Sequence, residues 1–347
     1  MHSFCSNYQY SDPFFSVIIP LYNKEKYIKR AVDSVLEQDF DNFELIVVDD
    51  GSTDASVKLV SHYDDRRLRL VGQENQGVGP ARNTGITESI GKWVVFLDAD
   101  DMWLVSHLSI IKEIIYTFED VGMVSNVSVE RNDDSAINKI IKPPEYEIKK
   151  IDYFLEAAKN IGIVHSSSSA IRRDVYAKNG GFKKYRMGED LEFWARVALD
   201  YPVAVSTAET AIYFRGTGGV MESSAVDMKS RKRETPSNLS DISPSVKMLD
   251  KWLSFDTGLK SEIRNPKSKL RRSVMVYINS RLDGSIRGAL IDRDPEKIKA
   301  LRLFYFLEVV NLSNFYYFIS TLPVPVIKSI ALFRHNIKNI YFKLRSK

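Results

Sequence analysis

The stretch WVVFLDADD, residues 93–101, leads from large apolar residues directly into acids. Its first part is rich in β-branched and aromatic residues, which predicts a strand that is buried on both faces. Unpaired carboxylates are strongly disfavoured away from water, so we expect the acids to lie beyond the end of that strand. Open α/β sheets bind their ligands at the carboxyl ends of their strands. The stretch therefore predicts a central strand and a binding site where it ends.

Two acids of this stretch, Asp98 and Asp100, are separated by a single residue. They can present oxygen ligands to a hard divalent cation, which usually keeps other positions open for substrate phosphates. An isolated Asp-x-Asp is more often a turn with solvated acids. The remainder of the chain decides between these two interpretations.

The composition is that of a soluble globular protein. The chain has 347 residues, of which 44% are hydrophobic and 27% charged, and its formal net charge of +4 is too small to indicate nucleic-acid binding. The single cysteine, Cys5, excludes an internal disulfide and a cysteine-based zinc site, and it fits a reducing compartment. Residues 1–13 lack the basic and then apolar pattern of a signal peptide. We therefore expect a cytoplasmic protein.

Strands and helices alternate in the N-terminal part of the chain. Apolar runs predict strands at 15–20, 43–48, 68–71 and 93–97, and helical spacing predicts helices at 25–38 and 81–89. This alternation predicts an α/β fold with a mostly parallel sheet flanked by helices. Pro20 is expected to stop the first strand, because proline cannot continue a central ladder. The second strand also ends in acids, Asp49 and Asp50.

Four segments, in this order, closely resemble the family 2 inverting glycosyltransferases. They are residues 17–23 (VIIPLYN), residues 46–54 (IVVDDGSTD), the motifs Asn-Gln-Gly and Ala-Arg-Asn within residues 75–83, and residues 96–101 (FLDADD). The resemblance covers roughly residues 15–220, and four ordered matches rarely arise by chance. It implies a GT-A (Rossmann-like) fold and a donor that is a nucleotide-diphosphate sugar.

The resemblance also implies a metal and its ligands. Asp100 is expected to be the direct ligand of a divalent metal, Mn2+ or Mg2+, with Asp98 close to both the metal and the ribose. Such a metal would act as Lewis acid and template at the leaving diphosphate. Asp101 is expected to be a structural acid behind them. Arg82 is expected to face the diphosphate, and the alternative is a solvated charge on an exposed helix.

By the same resemblance, Pro20 and Tyr22 form the pocket for the base and Asp50 accepts a hydrogen bond from it, with uridine favoured over guanosine and thymidine. A planar aromatic such as Tyr22 offers area to a flat base, although it can equally pack against the first helix. For Asp50 the alternative is to cap the next helix, which Ser52 or Asp54 can do in its place.

A second acidic segment, residues 187–196 (MGEDLEFWAR), lies where the family has one. An inverting transfer needs one carboxylate to deprotonate the acceptor hydroxyl during in-line attack, and Asp190 is the candidate. Glu189 is the alternative base, or it orients the acceptor. Both acids lie in the first turn of a predicted helix, so the competing interpretation is that they only stabilise its N-terminus. The predicted apolar face of this helix consists of Leu191, Trp194, Ala195 and Ala198.

Two basic residues near this segment have roles that the sequence leaves undecided. His165 either lines the acceptor side or is structural. The family often carries a histidine or another basic residue after the second acidic segment to hold the diphosphate. Here that region offers Arg215, within residues 214–219 (FRGTGG), and no histidine.

We predict three regions: a GT-A domain at 1–221, a linker or mobile loop at 222–245, and a helical C-terminal region at 246–347. Residues 315–333 are strongly apolar, but prolines and a lysine interrupt them, which argues against a membrane span. With the basic residues that follow, they fit a peripheral anchor on anionic lipid at the inner face of the plasma membrane. The alternatives are a helix packed on the main domain and a dimer contact.

The predicted function is metal-assisted, inverting transfer of a sugar, from a UDP-sugar by preference, to a saccharide or lipid-linked acceptor in polysaccharide biosynthesis. A sugar nucleotidyltransferase would have a glycine-rich, lysine-bearing phosphate loop after the first strand, and residues 21–24 (LYNK) do not form one. The alternative from another class is an inactive transferase-like scaffold that binds a partner or membrane. The joint presence of Asp50, Asp98, Asp100 and Asp190 argues against it. Nucleic-acid binding is not expected.

Overall fold

The computed structural model describes residues 12–132, 145–185 and 187–217, together with short stretches between 244 and 281. Those stretches are 244–245, 248–249, 269–270, 273–274, 276–278 and 280–281. The described residues up to 278 belong to one compact unit, and 280–281 belong to a second. The sheet, its helices and the acidic segments all lie in the first unit.

Within the described residues, a nine-stranded mixed sheet is the centre of the fold. Its strands are β1 (Phe15–Leu21), β2 (Phe43–Asp49), β3 (Leu68–Gly72), β4 (Trp93–Phe96), β5 (Met102–Trp103), β6 (Met123–Arg131), β7 (Ile148–Ile151), β8 (Ser169–Arg172) and β9 (Val203–Phe214). Their order is β3-β2-β1-β4-β8-β6-β9-β5, with β7 paired to β9. The half β3-β2-β1-β4 is parallel throughout, and its strands lie where the sequence predicted them, apart from terminal residues. The other half is mixed, because β8 runs antiparallel to β4 and β6.

Helices cover both faces of this sheet. Those in the described residues are α1 (Ile28–Leu36), α2 (Ser56–Val60), α3 (Val78–Glu88), α4 (His107–Thr117), α5 (Tyr153–Lys159), α6 (Arg173–Asn179) and α7 (Glu189–Asp200). In β1, Val17 and Ile19 join the core that α1 and α4 complete. Ile18 faces α3 instead, where a methyl group added to Gly85 would lie 2.5 Å from it. Alternate residues thus face opposite layers, and β4 is buried throughout, as predicted.

Pro20 does not end β1, which continues to Leu21. The carbonyl of Ile18 accepts a hydrogen bond from Leu97 at 3.1 Å, so the backbone polar groups of Ile18 point toward β4. Those of Pro20 point the same way, because strands have a period of two. The ladder between β1 and β4 ends at Ile18 and Phe96, where the next bond would need the N–H that Pro20 lacks. On its other side β1 stays paired with β2, where Pro20 lies opposite Val48 and Leu21 lies opposite Asp49. The prediction that Pro20 stops the strand was wrong for this reason.

The acidic stretch after β4 returns to the sheet at once through β5, a strand of 2 residues that the sequence did not predict. Met102 pairs with Ile212 of β9, and Trp103 pairs with Ala211. A strand this short has no measurable periodicity, so no apolar pattern could indicate it. Residues 98–101 are thereby held by the sheet at both ends.

A cluster of aromatic rings joins α7 to β4. The ring centroid of Phe182 lies 5.4 Å from that of Phe96 and 4.5 Å from that of Phe193. Trp194 contacts both Phe96 and Phe182 from α7. The cluster fixes the position of α7, and with it the position of the acids in its first turn.

The apolar face predicted for α7 is partly wrong. The buried apolar residues of this helix are Phe193, Trp194, Ala195 and Val197. Leu191 and Ala198, which the sequence predicted to be inside, are partly exposed. The reason is that Glu189 is buried, and residues 193 and 197 lie on the same side of the helix as residue 189.

The described stretches between 244 and 281 are helical, and two of them, 273–274 and 276–278, contact α5 or its N-cap residue. Ser273 Oγ donates to Asp152 Oδ2 at 2.6 Å, and the ring centroids of Tyr277 and Phe154 are 5.9 Å apart. No helix in the described part of the chain is long and apolar enough to cross a bilayer. The apolar tail at 315–333 and nearly all of the predicted linker lie outside the described residues, so the predicted boundaries at 221 and 245 remain predictions.

Candidate active site

The acidic segments meet at the carboxyl edge of the parallel half of the sheet. Leu21 pairs with Asp49 in register, so Tyr22 and Asp50 follow neighbouring strands side by side. On the other side of β1, β4 leads into Asp98. This is the edge at which open α/β sheets bind their ligands.

Hydrogen bonds tie together the two loops that follow β1 and β2. The side chain of Asn23 accepts from the backbone N–H of Thr53 at 2.8 Å, and the N–H of Asn23 donates to Ser52 Oγ at 3.1 Å. Asn23 is left-handed, with φ of 50°. The N–H of Lys24 donates to Ser56 Oγ at 2.8 Å. The backbone of the β1–α1 turn is therefore fixed by the next loop along the sheet.

The two residues assigned to the base pocket differ in exposure. Tyr22 is 47% exposed, so about half of its side chain is open to solvent whether or not it also packs against the first helix. Its ring is available to a flat ligand. Pro20 is buried within β1 and offers a ligand little accessible surface.

Asp50 is buried, and its carboxylate accepts hydrogen bonds from the segment that leads into α3. The side-chain amide of Gln73 and the backbone N–H of Gln76 donate to Oδ1 at 2.6 and 2.9 Å, and the N–H of Gly77 donates to Oδ2 at 2.8 Å. Asp50 does not cap α2, because Asp54 bonds the first residue of that helix at 2.9 Å. A hydrogen bond from a nucleotide base would have to share or replace one of these contacts.

Arg82 lies on α3 with 2% of its side chain exposed, so the alternative of a solvated surface charge is wrong. Its Nη2 donates to Asp98 Oδ1 at 2.7 Å, and its Nη1 donates to Glu189 Oε1 at 2.9 Å. Burial alone would lower the pKa of the guanidinium, but the charges of Asp98, Glu189 and Asp190 raise it above its usual value. Arg82 thus joins the two acidic segments.

Asp98 is held ionised by this contact. Burial opposes its ionisation, but the neighbouring Arg82 lowers the pKa of Asp98 below its usual value. Ser166 Oγ donates to the second carboxylate oxygen at 3.2 Å. The Asp98 side chain is still 25% exposed, so it is accessible to a ligand.

Asp101 is fully buried behind this surface. One of its oxygens is hydrogen-bonded by Ser167 Oγ, and the other accepts from the N–H of Phe214 at 3.1 Å. Burial and the charges of Asp98 and Asp100 raise the pKa of Asp101 well above its usual value. Its position fits the structural role that was expected.

Asp100 faces a cation of the protein itself. Lys24 Nζ lies 2.6 Å from Asp100 Oδ2, and Thr217 Oγ1 donates to the same oxygen at 2.7 Å. Lys24 Nζ also donates to the carbonyl of Thr217 at 3.1 Å. The carbonyl of Asp100 accepts from Arg30 Nη2 at 2.5 Å. Neither Lys24 nor Thr217 belongs to an acidic motif, so the sequence did not indicate this contact.

No group of three or more His, Cys, Asp or Glu side chains in the described residues is placed to hold a metal ion. Asp100 nevertheless already binds a cation, the ammonium of Lys24, with the hydroxyl of Thr217 beside it. Carboxylate and hydroxyl oxygens suit Mg2+ or Mn2+, which commonly use one or two carboxylates together with water and substrate phosphates. The donor set at Asp100 therefore fits a divalent cation.

The second acidic segment begins α7 after Gly188, which is left-handed with φ of 78°. No side chain caps α7, whose N-cap residue is Gly188, and the carboxylate of Glu189 pairs with Arg82. Asp190 Oδ1 accepts from the N–H of Leu191 at 2.7 Å. Burial raises the pKa of Asp190, and the charge of Arg82 only partly offsets the effect. The pKa of Glu189 is also raised by burial, with Arg82 acting in the opposite direction.

Asn83, next to Arg82, connects α3 to the segment before α7. Its side-chain amide donates to the carbonyl of Phe182 at 2.8 Å, and its Oδ1 accepts from the N–H of Phe182 at 2.8 Å. A methyl group added to Gly181 would lie 2.2 Å from Asn83 Oδ1, so only glycine fits there. This contact was not predicted from the sequence. The contact joins residues 99 positions apart, so no local pattern indicates it.

His165 and Arg215 occupy different surroundings. Burial lowers the pKa of His165, while the nearby charge of Asp98 acts in the opposite direction. The N–H of Ser167 donates to His165 Nδ1 at 3.1 Å, which leaves the proton of the neutral ring on Nε2. Arg215 forms an ion pair with Glu130 at 2.6 Å, and 62% of its side chain is exposed. Its guanidinium is therefore engaged in a surface pair.

Comparison with known proteins finds similarity to glycosyltransferases. The sequence model of the family described as "Glycosyl transferase family 2" matches residues 16–180. The uncharacterized glycosyltransferase alr2836 of Nostoc sp. is 33% identical over 167 residues, which cover 47% of this chain and 52% of that protein. The UDP-Glc:alpha-D-GlcNAc-diphosphoundecaprenol beta-1,3-glucosyltransferase WfgD of Escherichia coli is 32% identical over 153 residues, which cover 44% of this chain and 58% of that protein. The chain thus spans about half the length of these two relatives.

Among solved structures, S. aureus TarS 1-349 in complex with UDP-GlcNAc superposes with a TM-score of 0.64 at 22% identity, covering 84% of this chain and 80% of that chain. At this identity the likeness shows the fold alone. The predicted α/β fold of GT-A type is confirmed.

Proposed function

We propose that the chain is an inverting glycosyltransferase of polysaccharide biosynthesis, because the sequence model of glycosyl transferase family 2 matches residues 16–180. It transfers a sugar from a nucleotide-diphosphate donor to a hydroxyl of a saccharide or lipid-linked acceptor. The observation that carries the proposal is the double contact of Arg82. Through this one side chain, Asp98 on the donor side is connected to Glu189, the neighbour of Asp190 in α7.

On the donor side, the exposed ring of Tyr22 supports a flat base, with Pro20 behind it in β1, and the carboxylate of Asp50 accepts a hydrogen bond from that base. A UDP-sugar is supported by the E. coli relative, whose name gives UDP-Glc as its donor. Guanosine and thymidine nucleotides are the competing choices. The partner of this site is therefore a nucleotide-sugar.

Asp100, with Asp98 beside it, would hold Mn2+ or Mg2+ at the diphosphate. When bound, the metal would offset the charge of the leaving diphosphate. Arg82 is already paired with Asp98 and Glu189, so it acts on the donor chiefly by holding Asp98 in position. Its guanidinium also adds positive charge to the donor side.

Asp190 takes the proton of the acceptor hydroxyl. The hydroxyl oxygen forms a bond to the anomeric carbon while the bond from that carbon to the diphosphate oxygen breaks, so the configuration inverts. The diphosphate leaves with the electron pair, and the proton stays on Asp190. A raised pKa makes Asp190 a stronger base than an ordinary aspartate. Glu189, held by Arg82, orients the acceptor.

A lipid-linked acceptor is supported by the same E. coli relative, whose name includes diphosphoundecaprenol. Such an acceptor lies at a membrane, and the apolar and basic residues 315–347, outside the described residues, would supply peripheral contact with anionic lipid at the inner face. Flotation with anionic liposomes tests this contact. We expect the full chain to float and a chain ending at Ser313 to float less, and equal flotation would contradict the anchor.

Calorimetric titration with UDP, GDP and dTDP, each with and without Mn2+, tests the proposed function. We expect wild type to bind UDP most tightly and in a metal-dependent way, and Asp100→Ala to lose most of the metal-dependent gain. Asp120→Ala is the matched control, because Asp120 forms an exposed pair with Lys150. If no nucleotide binds to wild type, the result favours the alternative of an inactive transferase-like scaffold. Release of diphosphate from a nucleoside triphosphate and a sugar phosphate would instead favour a sugar nucleotidyltransferase.

A further inference from the structure

The carboxylate at the proposed metal site already has a cationic partner within the protein. Lys24 Nζ lies 2.6 Å from Asp100 Oδ2, and both side chains are only 15% exposed. The other lysine–carboxylate pairs of the described residues are much more exposed, with lysine side chains at 43% to 69%. The Lys24–Asp100 pair is therefore the one that water screens least.

The position of Lys24 is set by the fold and does not depend on Asp100 alone. Its backbone N–H donates to Ser56 Oγ at 2.8 Å, which fixes the turn between β1 and α1. Its ammonium also donates to the carbonyl of Thr217 at 3.1 Å. The hydroxyl of Thr217 in turn donates to Asp100 Oδ2 at 2.7 Å. The chain thus surrounds this one oxygen with donors and a positive charge.

We propose that Lys24 and the divalent metal compete for Asp100, an inference that rests on the metal site of the proposed function. Without metal, the ammonium of Lys24 neutralises Asp100. A second cation at the same carboxylate would meet the repulsion of the first, so Lys24 leaves Asp100 when the metal binds. Metal binding in the absence of nucleotide is weakened by the ion pair that has to be broken.

The same geometry makes metal binding depend on the donor. The backbone of Lys24 is fixed at the ligand-binding edge of the sheet, next to Tyr22, so a displaced ammonium stays at that edge. The diphosphate of a bound donor provides the negative charge that Lys24 loses when it leaves Asp100. Nucleotide therefore favours metal binding, and by linkage metal favours nucleotide binding to the same degree.

Titration of the full chain with Mn2+, followed by the electron paramagnetic resonance signal of the free ion, tests the competition without measuring activity. Lys24→Met keeps the length of the side chain and removes its charge, whereas Lys24→Arg keeps the charge. Lys26→Met is the matched control, because Lys26 lies in the same turn and is exposed. Each protein is titrated without nucleotide and with saturating UDP.

Without nucleotide, we expect Lys24→Met to bind Mn2+ about fivefold more tightly than wild type does. Wild type has to break the partly shielded ion pair between Lys24 and Asp100, and the variant has no such pair to break. UDP should then increase its Mn2+ affinity less than it does in wild type. Lys24→Arg and Lys26→Met should behave like wild type.

Equal or weaker Mn2+ binding by Lys24→Met would overturn the competition and assign Lys24 to holding Thr217. Absence of Mn2+ binding in both proteins, with UDP still bound, would also overturn it while the transferase proposal stands. Tighter Mn2+ binding by Lys24→Met in a chain that binds no nucleotide would support the competition and contradict the proposed function alone.

Discussion

Arg82 and Glu189 are separated by 107 positions in the sequence, and their side chains meet at 2.9 Å inside the protein. Arg82 is 2% exposed and Glu189 is 9% exposed. The contact joins α3 to α7, and Asp190, the proposed base, is the residue that follows Glu189. The second nitrogen of Arg82 holds Asp98 at 2.7 Å. Stability and the arrangement of the site therefore depend on the same side chain.

Removing Arg82 should destabilise the protein strongly. Arg82→Ala leaves the carboxylates of Asp98 and Glu189 without their buried partner, so we expect the free energy of unfolding to fall by about 3–5 kcal/mol. Urea unfolding measures this loss. Arg69→Ala is the control, because Arg69 is 45% exposed in its pair with Glu44. Its removal should lower the free energy of unfolding by less than about 1 kcal/mol. Similar losses of unfolding free energy in the two variants would show that the pairing of Arg82 with Asp98 and Glu189 does not contribute more to stability than an exposed ion pair.

Asp190→Asn should stop transfer while donor binding persists. Loss of a general base lowers the rate about 10²–10⁴-fold, and UDP affinity measured by calorimetry should not change. In wild type, kcat/KM should fall as the pH falls through the pKa of Asp190. Since burial raises that pKa, the acidic limb should lie above the usual aspartate value of about 3.9.

Two variants make the pH experiment specific. Asp174→Asn removes an exposed acid that pairs with Arg172, and it should leave the pH profile unchanged. Glu189→Gln should keep the acidic limb and raise the KM for the acceptor. If Glu189→Gln removes the limb and Asp190→Asn retains it, Glu189 is the base.

Gly181 should tolerate no side chain. In Gly181→Ala the new methyl group would lie 2.2 Å from Asn83 Oδ1, so the paired hydrogen bonds of Asn83 and Phe182 must break or shift. We expect a loss of about 1–3 kcal/mol in the free energy of unfolding, measured with urea. Gly72→Ala is the control, because nothing lies within 4 Å of its added methyl group and it should change stability by less than about 0.5 kcal/mol. An equal loss of unfolding free energy in Gly181→Ala and Gly72→Ala would contradict the predicted clash at Gly181.

His107 should make the protein less stable in mild acid. The ring is buried, stacks on Trp103 with centroids 4.1 Å apart and hydrogen-bonds Thr210 at 2.8 Å. Burial lowers the pKa of His107 to about 3, whereas the unfolded chain takes up the proton near pH 6.5. The stability due to the neutral ring is therefore complete above about pH 6.5 and is lost as the pH falls toward the folded-state pKa, by at most about 1.4 kcal/mol per pH unit.

Urea unfolding at about pH 7.5 and pH 5.5 measures this loss. His107→Gln should reduce the difference between the two values, whatever its effect at a single pH. His62→Gln is the control, because His62 is exposed and its substitution should leave the difference unchanged. The raised pKa values of Asp101, Glu189 and Asp190 change stability with pH in the opposite direction, so the comparison between variants decides. An equal difference between the two pH values in wild type and in His107→Gln would contradict the prediction.

Much of the fold could be read from local pattern. The strands β1, β2, β3 and β4 appear in the sequence as apolar runs. A central parallel strand is buried on both faces, so its consecutive residues are apolar. The strand β5 has only two residues and therefore forms no apolar run that could be recognised. Pro20 was misjudged because its missing N–H faces β4, and the sequence does not show that β1 continues by pairing with β2 on its other side.

The sequence by itself determined the order of the strands from β1 to β4, the placement of Asp50, Asp98 and Asp100 at strand ends, and the position of Asp190 at the start of a helix. Only the tertiary structure decided which charges are partners. It placed Arg82 between two carboxylates and Lys24 on Asp100. The physical reason is that periodicity records which face of an element is buried, whereas an ion pair forms between residues that are distant in the chain and leaves no period in either segment.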